Sequence, residues 1–293
     1  MSPSRRRNGL VHRSAEALRD GPLHTLELAR SVLGLRGHAG AASAAVFSLL
    51  GTDARFEVDG EGNWSLAPGA EALGRPLPEL AFAVVDVETT GGGYREGHRI
   101  TEVAVVEVQG GTIVDEWETL VNPGRSIPRP VERITGISTG MVRSAPWFEH
   151  VAPELESRLR GRVFVAHNVG FDWRFVSSEL AGAGADVPSM PRLCTVRLSR
   201  ALVPGLRRRN LDALTRHFGI PVHARHRAYG DALATARVLL RLLDEATGRG
   251  IGDLQALRTH VDRRGRRGRK PAAQTELLGG KAAPPGSLQP REP

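Results

Sequence analysis

The sequence predicts an α/β protein in which a small helical module precedes a larger domain of alternating strands and helices. Apolar runs at 81–85 and 163–166 have the length and composition of buried strands. Amphipathic segments follow them, and the clearest, from Tyr229 to Leu243, places apolar residues at helical spacing. Because the two patterns alternate over residues 80–248, we expect a sheet flanked by helices, with strands near 81–87, 100–109, 111–121 and 163–166.

The composition excludes several classes of protein. Hydrophobic residues make up 40% and charged residues 25% of the 293-residue chain, the balance of an ordinary globular protein. No apolar run approaches the ~18 residues of a membrane-spanning helix, and the N-terminal segment lacks the apolar core of a secretory signal. The single cysteine, Cys194, excludes an intrachain disulfide and any multi-cysteine metal site. We therefore expect a cytoplasmic protein.

The basic surplus is concentrated at the two ends of the chain. The net charge is +8. Residues 1–13 carry four arginines and no acid, and residues 249–293 carry ten basic and four acidic side chains. Both segments are predicted to be disordered, because they contain few large apolar residues. Such tails suit contact with nucleic acid, although the near-exclusive use of arginine is explained equally well by genomic base composition.

Residues 14–68 resemble a winged helix, since three predicted helices are followed by a hairpin. The helices are predicted at Ser14–Arg19, Leu26–Leu33 and Ala39–Leu50, and the hairpin strands flank the turn Asp59–Gly62. Winged helices commonly bind DNA. The presumed recognition helix, however, has no Arg, Lys, Asn or Gln to read base edges, so a protein-docking module is the alternative. Residues 69–79, rich in Pro and Gly, are predicted to form a linker.

Two carboxylates end the first strand of the larger domain. Asp86 and Glu88 follow the apolar run and alternate with Val87, so they point to one face about 6–7 Å apart. Paired carboxylates beside a buried strand require compensation, which hard divalent cations such as Mg²⁺ or Mn²⁺ supply. An exposed acidic strand end is the structural alternative.

Two further segments carry acidic residues in the first turn of a predicted helix. In the segment 163–176, Asn168 follows a strand and Asp172 falls in the first turn of the next helix. In the segment 226–243, His226 precedes a helix that has Asp231 in its first turn. Each segment alone is weak evidence for chemistry, because first-turn aspartates and solvated loop histidines are common.

The order of the three motifs is specific. D-x-E at a strand end, H-N-x-x-F-D and H-x-x-x-x-D resemble the DEDD exonuclease superfamily in its histidine branch, the DnaQ-like family, similar to the proofreading epsilon subunit of bacterial DNA polymerase III. Arg227 stands where the tyrosine branch has its tyrosine. Thr89-Thr90-Gly91 and the I-T-G-I at 134–137 match further, and Val87 replaces a threonine common in relatives. The resemblance covers residues 80–246.

The resemblance implies a fold and a set of roles. The fold would be ribonuclease-H-like, a mixed central sheet flanked by helices. The metal ligands for two Mg²⁺ or Mn²⁺ ions would be Asp86, Glu88, Asp172 and Asp231, and His226 would be the general base. The candidates for substrate contact are Val87, Thr89, Thr90, Asn168 and Phe171.

The implied function is 3′-to-5′ hydrolysis of the terminal phosphodiester of DNA, preferably at single-stranded ends, to nucleoside 5′-monophosphates in replication proofreading or repair. One alternative is a 3′-to-5′ exoribonuclease that trims RNA. The other is a tethering protein that recruits a replication or repair complex. A DNA polymerase or a sliding clamp is a further partner, since residues 274–280, QTELLGG, resemble a short clamp-binding peptide.

Overall fold

The computed structural model of the chain describes residues 3–53, 55–67 and 70–267. The helices are α1 Pro3–Ala17, α2 Thr25–Ser31, α3 Ala39–Leu50, α4 Ala70–Leu73, α5 Arg129–Thr135, α6 Thr139–Val142, α7 Phe148–Leu159, α8 Val169–Gly182, α9 Thr195–Leu202, α10 Leu211–His217, α11 Ala228–Thr247 and α12 Leu254–Arg267. The strands are β1 Leu23–His24, β2 Phe56–Val58, β3 Asn63–Leu66, β4 Ala81–Thr89, β5 Ile100–Gln109, β6 Thr112–Leu120, β7 Val163–Ala166 and β8 Arg192–Cys194. Within these ranges, no helix is long and apolar enough to cross a membrane.

The N-terminal module contains α1 to α3 and an antiparallel sheet of order β1-β3-β2. Its centre is Trp64, 1% exposed, whose Nε1 donates to the hydroxyl of Thr25 at 3.0 Å. That hydroxyl in turn donates to the carbonyl of Gly62 at 2.7 Å, which fixes the hairpin turn against the start of α2. The predicted second and third helices and the hairpin are present, and β1 was not predicted. The assignment of this module as a winged helix stays a prediction.

The prediction that residues 1–13 form a disordered tail is wrong over the described part, because α1 begins at Pro3. Val11 and Leu18 are 4% and 3% exposed and pack with the core of the module. The arginine-rich start of the chain led to the prediction of disorder. The apolar face of this helix is formed mainly by residues that follow the arginines.

The larger domain is built on a five-stranded sheet of order β6-β5-β4-β7-β8. The β4–β5 and β5–β6 pairs are antiparallel, whereas the β4–β7 and β7–β8 pairs are parallel. Helices cover both faces. The predicted fold class, a mixed α/β sheet flanked by helices, is therefore confirmed, and β8 is the strand that the sequence did not reveal.

Alternation along β4 divides its side chains between two cores. Phe82 and Val84 face the core that contains α9, α11 and α12. Ala83 and Val85 face the core that contains α7 and α8. Since β4 is central and buried on both sides, its sequence is apolar at every position until Asp86.

Two further predictions are corrected here. The predicted linker, residues 69–79, contains α4 and a 3₁₀ turn, and Leu73 and Leu77 are 3% exposed within the main core. Residues 254–267, predicted as part of a disordered tail, form α12, whose Leu254 and Leu257 are fully buried. In both segments a few leucines pack into the main core, and this burial stabilises a helix that the polar composition alone did not predict. Residues 268–293, which include the clamp-like peptide, lie outside the described residues.

Candidate active site

Asp86 and Glu88 extend the face of β4 that α11 covers. They continue the alternation of Phe82 and Val84, and the register places Glu88 opposite Glu102 of β5. The register of the β4–β5 ladder shifts between Glu88 and Thr89, the last residue of β4. Both carboxylates therefore lie at the carboxyl end of the central strand, on a rigid element.

Two helices bring the other carboxylates to the same place. Asp231 lies in the first turn of α11, and one oxygen each from Asp86, Glu88 and Asp231 lie within 4.8 Å of one another. Asp172, in the first turn of α8, approaches from the helix on the opposite face of the sheet and lines the same concavity of about 290 Å³. All four predicted acidic residues thus converge, three of them tightly.

The negative charge of the carboxylate cluster is not fully compensated by nearby cations. Burial, followed by repulsion from Asp172, Asp231 and Glu88, raises the pKa of Asp86 well above its usual range. Burial raises the pKa of Asp172 to about 7, against the opposing effect of the backbone N–H groups of Asp172 and Val87.

Glu88 behaves in the same way. Burial, followed by repulsion from Asp231, Glu102 and Asp172, raises its pKa to about 7. The guanidinium of Arg225 acts in the opposite direction on Asp86 and Glu88 without restoring their ordinary values. An all-oxygen donor set that is held together despite this repulsion fits a hard divalent cation such as Mg²⁺ or Mn²⁺.

The loop before α11 closes one side of the site. Arg225 forms ion pairs with Asp231 and, at 2.6 Å, with Asp212 of α10, and it lines the concavity. Ala224 and His226 have φ values of 52° and 61°, in the left-handed region that residues other than glycine seldom adopt. The loop is therefore held in a strained shape at the edge of the carboxylates.

Gly230 allows that loop to lie close. A Cβ atom at this position would stand 2.2 Å from the carbonyl oxygen of Ala224 and 2.5 Å from that of His223. Only glycine permits this approach, one residue before Asp231.

His226, the predicted general base, contacts the carboxylate cluster through its backbone N–H. Its N–H donates to Asp231 Oδ2 at 3.4 Å. Its side chain is exposed and is not among those that line the concavity, where Arg225 lies instead.

A buried ion pair anchors the same loop. Glu102, whose side chain is 2% exposed, accepts hydrogen bonds from the guanidinium of Arg227 and, at 2.8 Å, from the N–H of Ala228. The start of α11 is thereby tied to β5, next to Glu88.

The predicted substrate contacts divide into two groups. Val87, Asn168 and Phe171 line the concavity. Thr89 and Thr90 do not line it. The hydroxyl of Thr89 donates to the carbonyl of Gly91 at 2.7 Å, and the fully buried Thr90 bonds with His98 at 3.2 Å. The structure gives Thr90 no surface that a substrate could touch, which corrects its predicted role.

Sequence reasoning missed other lining residues: His167, Asn210, Leu211 and Arg225. His167 binds the hydroxyl of Thr195 through Nδ1 at 2.9 Å, and burial lowers its pKa. The signals for His167 were its position at the end of a strand and its place as the first residue of the H-N-x-x-F-D motif. Asn210 was detectable as an N-cap, since its side chain accepts from Ala213 N, but not as a residue of the site.

Comparison with known proteins agrees with this geometry. Residues 83–239 match the exonuclease family (RNase_T), a span that contains the four carboxylates. The chain therefore belongs to the exonuclease family, and residues 83–239 are its exonuclease domain. The predicted family resemblance is confirmed at this level.

Its relatives include a bacterial DNA polymerase III subunit and a bacterial 3′-5′ exonuclease. The chain is 34% identical over 183 residues to the DNA polymerase III subunit epsilon of Aquifex aeolicus, a match that covers 62% of this chain and 90% of that protein. It is 40% identical over 164 residues to the 3′-5′ exonuclease DinG of Bacillus subtilis, covering 56% of this chain. The match spans only 18% of DinG, and less than a third of two other curated relatives.

Solved structures show the same fold. The complex of E. coli exonuclease I with single-stranded DNA, in its zinc-bound form, superimposes with a TM-score of 0.51 at 19% identity, covering 58% of this chain and 43% of that one. This likeness establishes the ribonuclease-H-like exonuclease fold of the larger domain.

Proposed function

We propose that the chain is a metal-dependent 3′-to-5′ exonuclease that acts on DNA. The observation that carries this proposal is the convergence of Asp86, Glu88, Asp172 and Asp231, from one strand and two helices, inside a domain of the exonuclease family. The names of the relatives, DNA polymerase III epsilon and a 3′-5′ exonuclease, support the direction of attack and the choice of DNA.

The four carboxylates would hold Mg²⁺ or Mn²⁺. Bound there, divalent cations supply the positive charge that activates water at neutral pH and stabilises the oxygen that leaves phosphorus. The carboxylates themselves fix where that charge stands, because Asp86 and Glu88 are on the central strand and cannot shift independently.

The remaining residues orient the substrate and move a proton. Val87 and Phe171 offer apolar surface to the terminal nucleotide, and Asn168 offers an amide to its sugar or phosphate. The imidazole of His226, whose backbone N–H donates to Asp231, would accept the proton of the attacking water. Attack at phosphorus breaks the bond to the 3′ oxygen of the preceding nucleotide, which yields a nucleoside 5′-monophosphate and a new 3′-hydroxyl end.

We propose a recruiting role for the N-terminal module rather than base-specific DNA binding. Its helix α3 presents Phe47, 46% exposed, and carries no basic or amide side chain. A polymerase is the kind of partner that the epsilon relatives suggest.

The experiment is hydrolysis of end-labelled oligonucleotides by the purified full chain in Mg²⁺. A 5′ label should give a ladder that shortens from the 3′ end, and a 3′ label should give mononucleotide directly. The Asp86→Ala variant should lose this activity, whereas Asp244→Ala, an exposed aspartate on α11, should retain it. Equal, negligible cleavage by wild type and Asp86→Ala would refute the proposal, and faster loss of labelled RNA than of labelled DNA in one tube would move it to RNA.

A further inference from the structure

A basic groove adjoins the candidate active site. We propose that it binds the phosphates of the single strand that leads away from the reacting 3′ end. Three arginines define this basic groove: Arg192 of β8, Arg197 of α9 and Arg258 of α12. They are shared by two adjoining concavities of about 490 Å³ and 110 Å³.

The charge of the groove is positive and largely free. Asp262 is the one acidic residue that lines it, paired with Arg197 at 2.7 Å. Among the described residues, neither Arg192 nor Arg258 has a carboxylate partner. Two guanidinium groups therefore remain for phosphate oxygens, which they bind in a bidentate manner.

Arg192 is held in place by an aromatic ring. Its guanidinium lies 5.0 Å from the centre of the Trp173 ring, and Trp173 packs edge-on against Phe164 at 5.0 Å. A cation–π contact orients the guanidinium without neutralising its charge. Trp173 thus has a function in addition to packing.

The groove begins where the active site ends. On the first turns of α8, Asn168 and Asp172 are four residues apart and face the carboxylates, while Val169 and Trp173 form the neighbouring stripe and face the groove. The two sites therefore adjoin along α8. A strand whose 3′ end lies among the carboxylates would reach the groove through the nucleotides upstream of that end.

Arg258 gives the groove a contribution from outside the family domain. It belongs to α12, beyond the matched residues 83–239. Positive charge thus comes from three elements, β8, α9 and α12, along two adjoining concavities, an arrangement that favours a polynucleotide over a single phosphate.

This inference rests on the proposed nuclease function, and the experiment separates the two. Binding of a fluorescent single-stranded DNA of roughly 15 nucleotides is measured by anisotropy in EDTA, for wild type, the double variant Arg192→Gln/Arg258→Gln and the control Arg241→Gln, an exposed arginine of α11. Since each single-strand phosphate contact contributes about 0.7 to the slope of log K against log salt, the double variant should lower that slope by about 1.4. The control should leave it unchanged.

Hydrolysis in Mg²⁺ gives the second readout. The ratio of kcat/KM for the long oligonucleotide to that for a trinucleotide should fall about tenfold in the double variant, because only the longer strand reaches the groove. Unchanged slope and ratio would overturn the groove proposal and leave the nuclease intact. A wild type that binds an acidic peptide but not the oligonucleotide would overturn it as well, whereas failure of wild type to hydrolyse even the trinucleotide would refute the nuclease function itself.

Discussion

Replacing Glu88 by glutamine should make the chain more stable in buffer without divalent cations. The pKa of Glu88 rises from 4.5 to about 7, and each pH unit corresponds to about 1.4 kcal/mol. Keeping this carboxylate ionised above neutral pH therefore costs up to about 3 kcal/mol, and about 1–2 kcal/mol after allowance for its partial contact with solvent. Glutamine has the same shape and no charge.

The direction in which stability changes with pH follows from the direction of the pKa shift of Glu88. A carboxyl whose pKa is raised on folding binds its proton more tightly in the folded state, so the wild type loses stability as pH rises from about 4.5 to about 7. The gain in Glu88→Gln should be absent near pH 4.5 and complete at about pH 8. Urea denaturation in EDTA at both pH values measures it.

The matched control is Glu79→Gln, an exposed glutamate two residues before β4. It should change the free energy of unfolding by less than ~0.5 kcal/mol at either pH. Added Mg²⁺ should reverse the ranking, raising the Tm of the wild type more than that of Glu88→Gln. A destabilised Glu88→Gln at about pH 8, or an equal gain at both pH values, would refute the reasoning that repulsion and burial dominate this site.

The loop before α11 supplies three further predictions. His226→Gln should slow hydrolysis roughly 10²–10⁴-fold while Mg²⁺ still raises Tm; loss of the Tm response would instead make the residue structural. Gly230→Ala should destabilise by roughly 1–3 kcal/mol in urea and speed tryptic cleavage in the loop, since its Cβ would meet Ala224 at 2.2 Å; an unchanged protein would contradict the close approach. Arg227→Gln leaves the buried Glu102 carboxylate without its guanidinium, and thermal unfolding should show a loss of roughly 1–3 kcal/mol, with no loss arguing against the anchor.

Much of the fold could be predicted from local patterns. The apolar run predicts β4, and the helical spacing of apolar residues predicts α11. The Asp-Gly turn predicts the hairpin β2–β3. The misassigned segments, α1 and α12, are polar helices whose few leucines and valines become meaningful only once another element covers them. Three-residue β8 is too short for a period to show.

The site residues whose positions follow from local secondary structure were predictable from the sequence. The residues that reach the site only through tertiary packing were not. Asp86 and Glu88 share a face because strands alternate, and first-turn positions locate Asp172 and Asp231. Arg225, in contrast, reaches the carboxylates because its neighbours Ala224 and His226 adopt positive φ values. No local sequence pattern predicts this conformation. The burial of Thr90 depends likewise on its contact with His98, which the sequence does not reveal.

The position of α12 sets where the chain can be shortened. Its Leu254 and Leu257 complete the same core as Leu77, whose N–H donates to Gly252 at 2.9 Å. A fragment cut at the edges of the family match, residues 83–239, would lay that core open to water and would be expected to aggregate. Deletion work aimed at separating recruitment from catalysis should therefore keep everything between residues 70 and 267.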